Sequence, residues 1–298
     1  MKHLLKLSDL TKQDIIKILD LGDKMKSDLK KGVPHAVLAG KHLAMIFSKS
    51  STRTRVSFEV GFNQLGGSAL FLSQTDIQLG RGESIEDTAK VLSRYVDGIM
   101  IRTFAQSDVE ELAQYADVPV INGLTDYCHP CQVLGDLMTI REYKKKLEGL
   151  TVGWVGDGNN VCNSLIVGAL KCDMHVRIAT PKGYEPHPDV LAAAKDKIFL
   201  TNDPREAVKG ADAVFTDVWA SMGQEKEIEA RKKAFAGYLL NDELMALAND
   251  GAIIQHCLPA HKGEEIVYEL FAKHADEIYD EAENRLHVQK AIMAMLMG

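Results

Sequence analysis

The 298-residue chain has no excess of positive charge: 42 acidic residues outnumber 35 basic ones, a net charge of −7. That removes the electrostatic basis for binding nucleic acid or an anionic membrane, so any anion must be held locally, against the overall sign. No apolar run reaches the length needed to span a bilayer. The stretch Met1–Leu10 lacks the apolar core and cleavage pattern of a signal peptide. Five cysteines (Cys128, Cys131, Cys162, Cys172 and Cys257) are an odd number in a long chain. They suit a reducing cytoplasm rather than a disulfide framework. Low-complexity segments and short repeats are missing too. So is a Walker A sequence. The one loop resembling a dinucleotide site, Gly156-Asp157-Gly158-Asn159-Asn160, has Val161 where the third glycine belongs. This argues against NAD and leaves the asparagine pair as a small-molecule contact.

What is present reads as two α/β units in series. Apolar content of 46% and charged content of 26% are ordinary for a globular protein, and the length suits two domains. The organising stretch is Phe47-Ser48-Lys49-Ser50-Ser51-Thr52-Arg53-Thr54-Arg55. It follows an apolar strand, Leu43–Phe47, and leads into a helix that stops at Gly66-Gly67. Ser50 or Ser51 is a plausible N-cap. A helix N-terminus carrying hydroxyls and two arginines suits a phosphate or other dianion; an ordinary capped helix with surface arginines is the alternative. The spacing predicts helices over 9–29, 85–95, 108–116 and 133–147, the last ending in Lys144-Lys145-Lys146, which suits a helix C-terminus. Strands are expected at Ser68–Leu72, Gly98–Arg102 and Pro119–Ile121. A second series of strands follows at Thr151–Val155, His175–Ala179, Ile198–Leu200, Ala213–Asp217 and Ala252–His256. Helices are expected between them near 160–172, 188–195, 204–210 and 241–249, then over 264–274 and from 283 onward. Strands alternating with helices imply α/β architecture: two doubly wound parallel-sheet domains, with the active site in the cleft between them. Ser51–Thr54, Arg102, Gly156–Asn160, Asp217 and His256-Cys257 all fall at carboxyl ends of expected strands.

Three constellations carry candidate chemistry. Cys128-His129-Pro130-Cys131-Gln132 contains a Cys-x-x-Cys pair, open to a redox reading or, with His256 and Cys257, to a zinc reading. Against zinc, His256 and Cys257 are adjacent and lack the gap that lets both reach one ion. Alternatively His129 and Gln132, at i and i+3, present hydrogen-bond donors to a carbonyl oxygen. Asp217 ends a strand before a Gly-containing loop, Ser221-Met222-Gly223, and is suited to grip an ammonium group or to cap a helix. Cys257, alone at a strand end, is by default a small buried hydrophobe.

Taken in order, Ser51-Thr52-Arg53-Thr54-Arg55, His129-Pro130-Cys131-Gln132 and His256-Cys257-Leu258-Pro259 resemble the aspartate/ornithine carbamoyltransferases. Asp217 with Ser221-Met222-Gly223 is similar to the family's ornithine-binding signature. Arg81-Gly82-Glu83-Ser84 and Asn284-Arg285-Leu286-His287 extend the resemblance over nearly the whole chain. Gln255 departs from it, standing where an apolar residue is more usual, and the chain is somewhat short. The resemblance implies a carbamoyl phosphate-binding domain over 1–134 plus a returning C-terminal helix, 283–298, and an L-ornithine-binding domain over 135–282. Ser51, Thr52, Arg53, Thr54, Gln78, Arg102, His129, Gln132 and Arg285 would bind carbamoyl phosphate. Asn160, Asp217, Ser221, Met222, Cys257 and Leu258 would face ornithine. Arg53, Arg102, His129, Gln132 and Cys257 would carry the transfer to the δ-amine, without cofactor or metal. A cytoplasmic homotrimer or a multiple of trimers is implied, the Gln78 loop serving a neighbouring subunit, in arginine biosynthesis or catabolism. Aspartate as acceptor would want cationic residues for its second carboxylate. Putrescine and N-acetylornithine are alternative acceptors, and a non-catalytic binding protein is the alternative outside enzymes.

Overall fold

The computed structural model describes every residue except Met222, and every side chain except those of Met222 and Glu225. The chain divides into two compact units: Met1–Met138 with Glu283–Gly298, and Thr139–Ala282.

The first unit runs α1 (Lys12–Lys30), β1 (His42–Phe47), α2 (Thr52–Gln64), β2 (Ser68–Ser73), α3 (Ile85–Leu92), β3 (Gly98–Arg102), α4 (Gln106–Tyr115) and β4 (Val120–Leu124) into α5 (Pro130–Lys144). Its four strands are all parallel, in the order β2-β1-β3-β4. β1 is buried from Leu43 to Phe47, as a strand covered on both faces must be, which is why it reads as an unbroken apolar run. One face is filled by Ala44, Ile46, Ile99, Ile101, Val109 and Leu112. α1 begins with a reciprocal cap: Thr11 Oγ1 accepts from the Asp14 amide at 3.1 Å while Asp14 accepts from the Thr11 amide at 2.9 Å. The edge strand β2 leaves Leu70 and Phe71 exposed.

The second unit runs β5 (Thr151–Val155), α6 (Asn160–Lys171), β6 (His175–Ala179), α7 (Pro188–Ala194), β7 (Ile198–Thr201), α8 (Pro204–Val208), β8 (Ala213–Phe215), α9 (Ile228–Ala234), α10 (Asp242–Met245), β9 (Ile253–Gln255) and α11 (Tyr268–Lys273). Its parallel sheet has the order β7-β6-β5-β8-β9. Val155, Val214, Ile254, Phe235, Ile266 and Leu270 pack in its core.

The last helix, α12 (Ala275–Met297), ends in the first unit. There Lys26 of α1 donates to Asn284 at 2.8 Å and Lys290 donates to Gln64 of α2 at 2.9 Å. Gly61 of α2 makes room for it: a Cβ would lie 3.1 Å from Lys290 Cγ and 3.3 Å from Leu286.

In each sheet the strand order reverses once. The chain leaves β1 towards β2 and returns on the other side as β3; it leaves β5 towards β6 and returns as β8. Such switch points leave a crevice at the carboxyl edge where helices diverge to opposite faces.

Several expected elements differ. The helix expected over 264–274 is confined to α11, because Ile266 bridges Leu240 and Lys262 and Val267 is extended. α12 starts at Ala275 rather than near 283, α9 was not expected, and β8 stops at Phe215, before Asp217.

Gly153 sits in the middle of β5, where α8 crosses: a Cβ would meet the Ala207 carbonyl oxygen at 2.7 Å and Ala211 Cβ at 3.3 Å. Backbone cannot give as a side chain can. We expect Gly153→Ala to destabilise the protein by roughly 1–3 kcal/mol, read as a lowered urea midpoint; an unchanged midpoint would refute this account of the glycine.

Candidate active site

The first half of the site occupies the crevice between β1 and β3. Ser51 caps α2, its hydroxyl accepting from the Thr54 amide at 3.2 Å, so the free N–H groups of the first turn face the strand ends. Arg102 ends β3 and is buried. His129 precedes α5, also buried, and its imidazole is pushed well below the usual histidine range. Burial contributes most, then the guanidinium groups of Arg285, Arg102 and Arg53. Three arginines from α2, β3 and α12 thus surround one neutral imidazole. Arg285 Nη2 also donates to Thr54 Oγ1 at 2.9 Å, and Gly135 of α5 leaves space for its stem, a Cβ there lying 3.0 Å from Arg285 Cγ. Gln132 donates to Asp136 at 2.8 Å. So much positive charge in a buried place is suited to a dianion.

Not every expected residue joins this group. Arg55, the second arginine of the opening motif, lies over the Phe71 ring with its Cζ 3.8 Å from the centroid, and pairs with Glu59. Gln78 is exposed in a short 3-10 turn, Gln78–Arg81, with no side-chain hydrogen bond to the group. Lys49, which sequence reasoning missed, is buried; it pairs with Asp126 and lies 4.3 Å from the Phe104 ring centroid. The Ser48 amide donates to the Arg102 carbonyl at 2.8 Å and the Asp126 amide to the Phe104 carbonyl at 2.8 Å. Lys49 thereby ties together the three loops after β1, β3 and β4.

The Cys-x-x-Cys pair belongs to the core of this unit. Burial pushes the thiols of Cys128 and Cys131 each up to about 12. Cys131 donates to the Asn122 carbonyl at 3.4 Å and Cys128 to Gln106 at 3.3 Å. Neither is the thiolate that redox exchange or zinc binding needs.

The second half occupies the crevice between β5 and β8. The turn Gly156–Asn160 is packed on backbone: a Cβ on Gly158 would stand 2.3 Å from the Pro186 nitrogen and 2.6 Å from the Tyr184 carbonyl oxygen. Asn159 caps α6, its Oδ1 accepting from the amides of Val161 and Cys162 at 3.0 and 3.1 Å. Its Nδ2 donates to Asp217 Oδ2 at 2.7 Å. The buried Asp217 also accepts, through Oδ1, from the Val218 amide at 2.8 Å and the Cys257 thiol at 3.1 Å. Asp217 and Cys257 are therefore brought together as expected. Asn160 is the first residue of α6, and its carbonyl accepts from Ser164 at 3.0 Å; Asn159, the other member of the asparagine pair, is the one that holds Asp217. Ser221 is half-buried, its amide donating to Gln224 at 2.9 Å, and Met222 lies outside the described residues. Leu258 has φ +59°, a left-handed conformation unusual for leucine, and its amide donates to His256 Nδ1 at 2.9 Å.

His256 faces Glu265 through Nε2 at 3.1 Å. Asp217, His256 and Cys257 present donor atoms within 4.8 Å of one another, one of two such groups among the described residues, the other being His261, Glu264 and Glu265. Both nitrogens of His256 are engaged, so the zinc reading loses a ligand as well as its two core thiols.

Asp157 is held from the other side. Its carboxylate lies 3.1 Å from Arg231, which also pairs with Glu227 at 2.9 Å, donates to the Trp219 carbonyl at 2.8 Å and lies 4.9 Å from the Tyr184 ring. Burial nonetheless pushes the Asp157 carboxyl up to about 6, Arg231 opposing the rise and Asp217 and Glu227 adding to it. The native state therefore keeps a proton that the unfolded chain, titrating near 3.8, releases. Between those values stability from this group increases as pH falls and is lost as pH rises through about 6. The stability difference between the wild type and Asp157→Asn should vary with pH across that window and be flat above it, measured by urea unfolding. A difference that is flat throughout would sink the assignment.

This geometry matches the comparisons with known proteins. Residues 2–142 match the carbamoyl-P binding domain model of aspartate/ornithine carbamoyltransferases, and residues 148–296 the Asp/Orn binding domain model. The chain is 58% identical to the ornithine carbamoyltransferase of Carboxydothermus hydrogenoformans, over 100% of this chain and 98% of that protein. It is 52% identical to that of Archaeoglobus fulgidus, with the same coverage. Among solved structures, ornithine carbamoyltransferase from Pyrococcus furiosus superposes with a TM-score of 0.94 at 50% identity, covering 100% of this chain and 97% of that one. The Thermus thermophilus enzyme gives 0.91 at 43% identity, covering 100% and 99%. With both domain models matched in order on a chain whose two switch points carry the arginine–histidine group and the Asp217–Cys257 pair, the protein belongs to the aspartate/ornithine carbamoyltransferase family.

Proposed function

We propose that the chain transfers the carbamoyl group of carbamoyl phosphate to the δ-amine of L-ornithine, giving L-citrulline and phosphate. The observation that carries this reading is the convergence of Arg53, Arg102 and Arg285 on the neutral His129 beside the N-terminus of α2. Ser51, Thr52, Arg53 and Thr54 hold the phosphate at the helix N-terminus, with Arg285 closing over Thr54. Arg102, Thr54 and His129 donate to the carbonyl oxygen, with Gln132 beside them. A neutral imidazole serves as a donor here without adding a fourth positive charge.

The neutral δ-nitrogen attacks the carbamoyl carbon. Negative charge builds on the carbonyl oxygen, the bond from carbon to the phosphate oxygen breaks, and phosphate leaves with the electron pair. Removing one such donor costs on the order of a hundredfold in rate. Asp217 takes the α-ammonium of ornithine, with Asn160, Ser221 and Leu258 lining the remainder. The nitrogen sheds its proton to the departing phosphate, and Cys257, hydrogen-bonded to Asp217, would help to aim the amine. Alignment of the δ-nitrogen with the carbamoyl carbon is itself worth several kcal/mol.

The same reading makes the enzyme a cytoplasmic homotrimer of arginine metabolism. Val56 and Val60 of α2, and Leu70 and Phe71 of the edge strand β2, are apolar side chains that the first unit leaves exposed. The exposed Gln78 is free to serve a neighbouring subunit. Light scattering should give three times the 32.9 kDa chain mass; a monomer with full turnover would exclude the borrowed Gln78.

A colorimetric citrulline assay with carbamoyl phosphate and a panel of amines tests the reaction. Product from L-ornithine, and none from putrescine, N-acetylornithine or L-aspartate, is expected. Product from putrescine would keep the phosphate site and overturn the role of Asp217; no product from any amine would leave a binding protein.

A further inference from the structure

We propose that Asn159 is a positioning residue for the acceptor amino acid: its carboxamide fixes the orientation of the Asp217 carboxylate and so sets the direction from which the α-ammonium is gripped. This rests on the ornithine reading above.

The argument starts from the amide itself. Asn159 Oδ1 accepts two backbone N–H groups at the start of α6, at 3.0 and 3.1 Å. A flipped amide would turn two donors against its own NH₂ and an oxygen against a carboxylate, so the assignment of the two ends is determined by the neighbours. The cap therefore locks the NH₂ group on Asp217 Oδ2, 2.7 Å away. The other carboxylate oxygen, Oδ1, already accepts twice, from the Val218 amide and the Cys257 thiol. A carboxylate oxygen has about two lone-pair positions, so Oδ1 is filled and Oδ2 keeps one. An incoming ammonium is directed to Oδ2 along the line that Asn159 leaves open.

The turn that presents Asn159 is itself rigid. Gly156 adopts φ +142°, Gly158 is packed against the backbone of 184–186, and the Gly158 amide donates to the Tyr184 carbonyl at 2.9 Å. α6 extends for 12 residues behind the cap, so its positive end lies behind the carboxamide and favours the negative charge in front.

A cap and a positioning group are separable by substitution. Asp and Ser cap helices about as well as Asn. Asn159→Asp retains the acceptor and replaces the donor to Asp217 by a repelling oxygen; Asn159→Ser retains an acceptor and is too short to reach. Both variants are expected to keep the KM for carbamoyl phosphate; Asn159→Ser should keep the wild-type urea midpoint, and Asn159→Asp, which sets a second carboxylate against the buried Asp217, should lower it. The KM for L-ornithine should rise about tenfold to a hundredfold, the range for a lost hydrogen bond to a charged group. Selectivity for L-ornithine over 5-aminopentanoate, the same δ-amine and carboxylate without the α-ammonium, should fall by a similar factor. An ornithine KM within twofold of wild type for both variants would overturn the inference, as would a loss that follows the urea midpoint alone and leaves that selectivity unchanged. Wild-type protein that makes no citrulline would instead fail the ornithine reading, and the inference with it.

Discussion

The reversal of strand order in each parallel sheet is the constraint on which everything else depends. Parallel strands all deliver their loops to the same edge, and helices leaving from opposite faces cannot cover the point where the order reverses. In the first unit that point lies between β1 and β3, in the second between β5 and β8. The residues with chemistry collect there because the backbone cannot close there. Ser51–Thr54 leave β1, Arg102 ends β3, Gly156–Asn160 leave β5, and Asp217 follows β8. Every nucleating feature around these points is a helix N-terminus or its cap: Ser51 for α2 and Asn159 for α6.

The two crevices then solve opposite electrostatic problems. The chain is acidic overall, yet the first crevice gathers three guanidinium groups around one imidazole. Like charges at this density are tolerated because each belongs to a different element, held by packing that is independent of the others. Arg285 is carried by the terminal helix, which is itself fastened by Lys26–Asn284 and Lys290–Gln64. The cost of assembling the charges is met by the fold, and on the reading proposed above a bound dianion offsets it.

How much of this was legible in the sequence depends on whether the determining contact was local. β3 and β5 begin and end as expected because they are buried almost throughout and built on apolar runs, and β6 does too, although its His175 is exposed and its Arg177 half-buried. The 264–274 segment misled because Ile266, Val267, Leu270 and Phe271 repeat with helical period. The override is tertiary: Glu265 is drawn to His256 and Ile266 to Leu240, which leaves only the second half helical. Asn159 and Asn160 are indistinguishable by pattern; only the position of Asp217, 58 residues away, selects the first. Arg231 carries no local signal of its role, although it is buried against Asp157 and Trp219. Lys49 was passed over beside more conspicuous hydroxyls for the same reason: Phe104 and Asp126 are remote in sequence.

The second unit holds two buried carboxylates near one turn, and their difference says what the site is for. Asp157 has a cation: Arg231 lies beside it, shared with Glu227 and the Trp219 carbonyl. Among the described residues no cation pairs with Asp217, which is about as buried and is met by an amide, a backbone N–H and a thiol. Hydrogen bonds to a carboxylate satisfy its lone pairs without cancelling its charge. A buried negative charge that lacks a counter-ion gains most from a cation that arrives with the ligand. Asp157 is thus a structural anchor whose partner is built in. On the ornithine reading proposed above, Asp217 is a binding group whose partner is left to the substrate: an amino acid supplies an α-ammonium, whereas a phosphate or a second carboxylate would be repelled.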